Sequence, residues 1–200
     1  MFAHFRPAIV LLMTLTIITG GLYPLGVTIL ARMAAPNNAE GSLLIVDGHI
    51  IGSHLIGQNF TDPGYFHGRP SATTDVDPDD ATKTIAVPYN ASNSGGSNLG
   101  PTSKALLDRV KEDADKLGNI GLIPADLLTT SASGLDPHLS PAAILTQVSR
   151  VAQARGMTEQ DLRLLIERHI IPRWLGLLGE PIVNVLELNV ALDEIAPKSR

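Results

Sequence analysis

The chain has 200 residues and no cysteine. Disulfide frameworks, thiol nucleophiles and Cys-ligated zinc are therefore excluded. Aromatic residues are scarce at 4%, with a single tryptophan, and Lys and Arg form no cluster. The formal net charge is −5, and because Arg6 is the only formally charged residue before Arg32, the remainder carries −6. That balance argues against a nucleic-acid partner, since a phosphate backbone repels an acidic surface that has no local basic patch. The P-loop pattern G-x-x-x-x-G-K-[ST] is missing. Gly95-Gly96-Ser97-Asn98-Leu99-Gly100 supplies glycines for a tight turn but no lysine to reach a phosphate. No H-E-x-x-H or close histidine pair marks a metal centre, which leaves His54, Asp62, His67 and His138 as scattered candidates and no metal site assigned.

What the chain does have is a long uncharged run. From Pro7 to Ala31 the sequence is PAIVLLMTLTIITGGLYPLGVTILA. As a helix this run is roughly 37 Å long, enough to cross a hydrocarbon core of about 30 Å with some tilt. A cleaved secretory signal is the rival reading, with Arg6 as a thin basic start and small residues near Ala31 and Ala34. The apolar run exceeds the usual h-region, so a retained anchor over residues 1–33 is expected. Arg6 and Arg32 lie on opposite sides of the run and leave its orientation open. Thr16, Gly20 and Gly21 make one stretch small and polar, which suits close packing against another membrane helix. Pro24 predicts a bend or a loosened turn.

Residues 34–200 are expected to form one α+β domain with a mixed sheet and three or more helices. Asp47-Gly48 between Leu43–Val46 and His49–Ser53 predicts a hairpin, because both central turn positions need positive φ. Residues 57–101 are rich in Gly, Pro, Asn, Ser and Asp and predict a long functional loop, pinned by Phe60, Tyr65, Phe66 and Tyr89. Asp75, Asp77, Asp79 and Asp80 form its most acidic point and could concentrate cations. One helix is predicted from Thr102 or Ser103 to Gly118. A second starts at Ser140-Pro141 and ends at Gly156, and a third runs from the Thr158 cap towards Pro172. Pro181 to Asn189 predicts a strand.

Catalytic chemistry finds little support. Ser133, Asp136 and His138 include the residue types of a hydrolytic triad, but they crowd into one short loop without a G-x-S-x-G elbow. A turn at Asp136-Pro137, with His138 ahead of the helix at Ser140, is the simpler reading. Gln147 sits between Ile144 and Val151 on a helix, where its amide could reach into a groove, and Arg150 and Arg155 suit a helix C-terminus.

Six segments, in order, carry a resemblance. They are GSHLIGQNF (52–60), YFHGRPSA (65–72), NASNSGGSNLGPT (90–102), SGLDPHLSPAA (133–143), QVSRVAQARG (147–156) and LGLLGEPIVNVLELNVALD (175–193). With the apolar run in front, the chain closely resembles the C subunit of the bacterial Kdp-type potassium-transporting ATPase (KdpC family) over essentially its whole length. The resemblance implies a non-catalytic accessory subunit that assembles and stabilises an ATP-driven potassium-uptake complex in the inner membrane. Its partners would be a channel-like potassium-binding subunit, a P-type ATPase catalytic subunit, a small single-helix subunit and the lipid bilayer. ATP, Mg and K would be handled by those partners, with no cofactor held here. The N-terminus would be cytoplasmic and the domain periplasmic, near the ion entrance.

The family's motifs carry over as Gln58 with Phe60, Arg69 and Pro70, Ser94 to Asn98 through Gly95, Gly96 and Ser97, and Asp136 with His138, read as fold and interface determinants. The resemblance also brings the alternative that Gln147 contacts ATP and raises the nucleotide affinity of the catalytic subunit. Two positions depart from the family pattern: Ile182 stands where Arg is commoner, and Ser103 where Asn is commoner.

Overall fold

The computed structural model of the chain describes residues 4–118 and 121–197. The ends of the two expected domains, residues 1–3 and 198–200, lie outside them. The chain divides into two compact units, Met1–Ser53 and His54–Arg200.

In the first unit a helix, α1, runs over Phe5–Ala34, with mean hydropathy 1.9 in its most apolar part and no residue buried within the protein. Its middle is a π turn over Ile18–Leu22, closed by the Tyr23 N–H donating to the Ile18 carbonyl. Pro24 explains the turn. A proline ring lacks an N–H and crowds the carbonyl four residues back, here that of Gly20, and widening the helix just ahead of the ring relieves both problems. Thr19 and Thr28 return their hydroxyls to the Leu15 and Pro24 carbonyls at 2.7 and 2.8 Å, so neither presents an unpaired hydroxyl to lipid.

A short helix α2 (Pro36–Ala39) leads into strands β1 (Leu43–Val46) and β2 (His49–Ser53), which pair antiparallel. Asp47 and Gly48 both have positive φ, 51° and 78°, as the predicted hairpin requires.

The second unit is α+β. Its centre is an antiparallel three-stranded sheet ordered β5 (His138–Leu139), β7 (Ile182–Asn184), β6 (Ile170–Ile171). Helices pack against it and enclose Leu139, Ile144, Val148, Val151, Leu162, Ile166, Val183, Leu188 and Leu192. Within the long loop lies a second small hairpin, β3 (Thr74–Val76) with β4 (Thr84–Ala86), which sequence reasoning missed because polar Thr and Asp hide its alternation. The acidic residues organise its turn: Asp77 Oδ1 accepts the Asp79 N–H, Asp80 Oδ1 accepts the Thr82 N–H, and Lys83 pairs with Asp80. Helix α3 spans Lys104–Leu117 and stops at Gly118, and its N-cap Ser103 makes no side-chain capping bond.

Two expectations require correction. The helix begun by Ser140, whose hydroxyl accepts the Ala143 N–H, is interrupted: α4 is Pro141–Leu145 and α5 is Val148–Arg155. At the break the Gln147 N–H turns back to the Ile144 carbonyl and the Thr146 hydroxyl to that of Ala143. Helix α6 (Glu159–Arg168) follows, with the Thr158 hydroxyl accepting the Asp161 N–H.

The expected strand 181–189 is a strand only to Asn184. Asn184 Oδ1 accepts the N–H groups of Leu186 and Glu187 and starts helix α7 over Val185–Ile195. Val185, Leu188 and Leu192 then share its buried face, a helical spacing that a β-prone start disguised. Asn184→Ala removes this cap and the bond from its Nδ2 to the His54 carbonyl. It is expected to cost about 1–2 kcal/mol, read as a lower urea midpoint for the full chain in detergent.

Candidate functional site

The site is built around residues 63–67, a stretch that belongs to neither helix nor sheet. Carbonyls without a ladder must find other donors, and here each finds a side chain, from exposed Pro63 to fully buried Phe66. Arg150 Nη1 donates to the carbonyls of Pro63 and Tyr65 at 2.6 and 2.9 Å, and Arg155 Nε to that of Gly64 at 2.7 Å. Asn189, on α7, grips Phe66 from one side: its Oδ1 accepts the Phe66 N–H and its Nδ2 donates to the Phe66 carbonyl, both at 2.9 Å. Gln147 grips the next residue, accepting the His67 N–H at 2.8 Å and donating to the His67 carbonyl at 3.0 Å. Two side-chain amides thus imitate neighbouring strands, one residue apart. The Phe66 ring is held fully buried in the core as a result.

Gln147 is 6% exposed, and Arg150 Nη2 adds a third bond to its Oε1 at 2.6 Å. Arg155 reaches the Ala196 carbonyl and pairs with Asp193 at 2.8 Å while its guanidinium lies 4.5 Å over the Tyr65 ring. The Tyr65 hydroxyl donates to the other Asp193 oxygen at 2.8 Å. A charge as buried as that of Arg155 is tolerable only with such partners, although its Nη2 and Asp193 Oδ1 meet as an ion pair without hydrogen-bond geometry. Arg150 and Arg155 therefore bind loop carbonyls, beyond the helix-dipole role expected of them.

Beside this clamp the remaining motifs converge. Tyr89 wedges between Gly57 and Gly68, where an added Cβ would lie 2.4 Å from the ring and 2.4 Å from the hydroxyl oxygen respectively, so both positions need glycine. Its hydroxyl donates to the Arg69 carbonyl at 2.8 Å. Burial, reinforced by the Asp136 charge, pushes that hydroxyl up to about 12. Arg69 pairs with Asp136 at 3.0 Å. Burial raises the Asp136 carboxyl, but bonds from His138 and Arg69 outweigh it and leave it below its ordinary value.

Asp136 Oδ1 accepts the His138 N–H, forming the predicted turn, and the His138 ring nitrogen lies 3.3 Å from the same oxygen. Gly95 and Gly96, expected in a tight turn, instead run alongside 131–133. The Gly95 N–H and the Ser94 hydroxyl donate to the Ser133 carbonyl, and a Cβ on Gly96 would sit 3.0 Å from the Ala132 carbonyl. Close backbone approach, not chain reversal, explains Gly96, whereas nothing lies within 4 Å of a Cβ added to Gly95.

Arg69, Pro70, Ser94, Gly95, Gly96, Asp136 and His138 therefore belong to one neighbourhood. Gln58 follows Gly57, whose N–H donates to Leu135, and Phe60 stacks 5.4 Å from Tyr65. Ser97 is half-buried and Asn98 exposed with φ 51°. Thr16, Gly20 and Gly21 lie on α1, in the other unit, where nothing lies within 4 Å of a Cβ added to either glycine.

A cleft of about 780 Å³ adjoins the clamp, lined by Phe60, Arg69, Tyr89, Arg109, Lys116 and Gln147 among others. Ser133 Oγ accepts the Leu135 N–H and meets Ser131, while His138 faces Asp136, so a triad is not assembled. Of the scattered metal candidates, His54 binds Glu187 and His67 binds the Asp62 carbonyl. Among the described residues no group of three or more His, Asp or Glu could hold a metal ion.

Asn189 escaped sequence reasoning because its segment read as a strand, and Asp193 lay beyond the segment assigned. Viewed as a helix, Asn189 is a conspicuous amide beside the apolar Val185, Leu188 and Leu192.

These features define a class: a chain with one apolar helix long enough to cross a membrane, followed by a loop-rich domain that buried polar residues hold together. Residues 5–194 match the family model for the K+-transporting ATPase c chain, KdpC. The chain is 60% identical to the potassium-transporting ATPase KdpC subunit of Rhodopseudomonas palustris (strain BisB18), over 96% of this chain and 98% of that one. It is also 60% identical to that of Bradyrhizobium diazoefficiens (99% and 100%) and 57% to that of Methylobacterium nodulans (99% and 100%). The chain belongs to the KdpC family.

Gln147→Leu strands the His67 N–H and carbonyl, and each buried unpaired group costs about 1–3 kcal/mol. A large fall in the urea midpoint is expected, and Asn189→Leu should match it through Phe66. Burial, helped by the Arg150 charge and opposed by the bond to Asp62, holds the His67 imidazole below its ordinary value. On acidification past about 6.5 the unfolded chain gains a proton that the folded chain refuses. The stability His67 contributes above that pH is lost as pH falls through its folded value, so His67→Gln should flatten the acid limb of a stability profile.

Proposed function

We propose that this chain is the non-catalytic accessory subunit of an ATP-driven potassium-uptake complex, held in the inner membrane by α1, which it assembles and stabilises. One observation carries the reading: the long apolar helix finds no burial within its own protein. Such a surface needs lipid or other helices around it. The open flanks of Gly20 and Gly21 within the π turn, with Thr16 one turn away, offer a place for a partner helix to approach closely.

The partners in this reading are a channel-like potassium-binding subunit, a P-type ATPase subunit that handles ATP and Mg, and a small single-helix subunit. The N-terminus is cytoplasmic and the folded unit extracytoplasmic, near the ion entrance. Arg69, Pro70, Ser94 to Asn98, Asp136 and His138 then shape the loop surface that meets the channel-like subunit, with Gln58 and Phe60 supporting it from beneath.

A nucleotide reading competes, favoured by the cleft in which the Arg109 Nε has no hydrogen-bond partner among the described residues and by Gln147 in its wall. Against it, both polar atoms of the Gln147 amide already serve His67, so a nucleotide would have to displace backbone bonds. Calorimetry with the full chain in detergent separates the two. A flat ATP titration rejects nucleotide binding, and saturable binding lost in Arg109→Ala supports it.

Removing residues 1–31 is expected to abolish copurification with the channel-like and ATPase subunits, and Gly20→Leu with Gly21→Leu to weaken it. Normal assembly without α1 would refute helix-mediated assembly.

A further inference from the structure

The connection from β6 to β7 carries a feature that neither the core nor the clamp uses. Between Pro172 and Pro181 the chain forms a closed turn, with the Trp174 N–H donating to the Leu178 carbonyl at 2.9 Å and the Leu177 and Leu178 N–H groups donating to the Trp174 carbonyl. Arg173 and Glu180 form an ion pair across its neck.

The N–H groups of Trp174, Gly176, Leu177 and Leu178 are bonded within the turn, yet its large side chains are exposed. Trp174 is 67% exposed, Leu175 74%, Leu177 81% and Leu178 60%. Leu175 is moreover held at φ 51°, in a region that a branched, Cβ-bearing residue occupies only when its surroundings demand it. A solvated turn would place Asn or Gly there. A leucine at that position keeps the apolar surface of the tip continuous.

We propose that this tip contacts the membrane: Trp174, Leu175, Leu177 and Leu178 dip into the interfacial layer of the bilayer that α1 crosses. Three properties select lipid as the occupant. Turn bonds between backbone groups are already made, which lowers the penalty for leaving water. Trp beside Leu is the composition that settles at the boundary of headgroups and acyl chains, with the indole N–H towards the headgroups. The paired Arg173 and Glu180 at the neck bring no net charge to that boundary. The tether is short as well, since residues 35–53, which join α1 to the second unit, span at most roughly 65 Å even fully extended. That connection keeps the tip concentrated near the bilayer. The proposal goes beyond the assembly role and needs only the anchor.

Trp174 is the only tryptophan, so its fluorescence reads the tip alone. The full chain is reconstituted in phosphatidylcholine liposomes, with or without lipids brominated near the headgroup. Emission at shorter wavelength than that of the urea-unfolded chain, together with quenching by the brominated lipid, is the expected result. Leu177→Asp, at an exposed position, should lose both effects while far-UV dichroism and flotation with the vesicles stay unchanged.

Water-like, unquenched emission from a chain that floats with the vesicles overturns the proposal and leaves the assembly role standing. So does persistence of both effects in Leu177→Asp. A blue shift that appears only when the channel-like and ATPase subunits are added assigns the tip to a protein surface, and also overturns it. A chain that fails to float removes the anchor on which both readings rest.

Discussion

The second unit depends on how residues 63–67 satisfy their carbonyls. Five successive carbonyl groups are taken by Arg150, Arg155, Asn189 and Gln147, donors from the α4–α5 break and from two helices far apart in sequence. This arrangement lets a stretch without regular structure pass through the interior and place Phe66 in the core. Helices α5 and α7 are locked to the loop by the same bonds, so loss of one donor is felt in both. The interruption between α4 and α5 follows the same logic: Gln147 sits at the break, where its amide faces His67.

The polar residues that might suggest chemistry are committed to structure. His138 faces Asp136, Asp136 holds Arg69, and Ser71 donates to the Gly134 carbonyl while accepting the Tyr89 N–H at 3.0 Å. Three separated motifs, RPSA, SGGS and SGLDPH, are sewn together by hydroxyls and glycines with little apolar area. A loop system built this way holds its polar side chains in fixed bonds.

Local rules were legible where the information is local. Asp47-Gly48 specifies its hairpin through two positive φ angles, and Ser140-Pro141, Thr158 and Gly118 mark helix ends through caps. Rules failed where distant partners decide. Nothing near Thr146 announces that its helix will break, because the reason is His67. Ile182, Val183, Val185 and Leu186 have strand and helix options, and the contest is decided by Asn184 bonding the next two N–H groups and by the core waiting for Leu188 and Leu192. Arg150 and Arg155 looked like helix-end cations until the carbonyls of 63–65 were seen beside them.

The uncharged run that forms α1, the absence of thiol chemistry, the acidic balance and the motif order are properties of the chain read in one dimension, and they sufficed for the anchor, the α+β class and the family resemblance. Why Gly57 and Gly68 must lack a Cβ is decided by the approach of Tyr89, and which amide meets which carbonyl is decided only when segments 80 or more residues apart come together. Hydrogen bonds of that range leave no period or spacing in the sequence, because each partner sees the other only after the chain has folded.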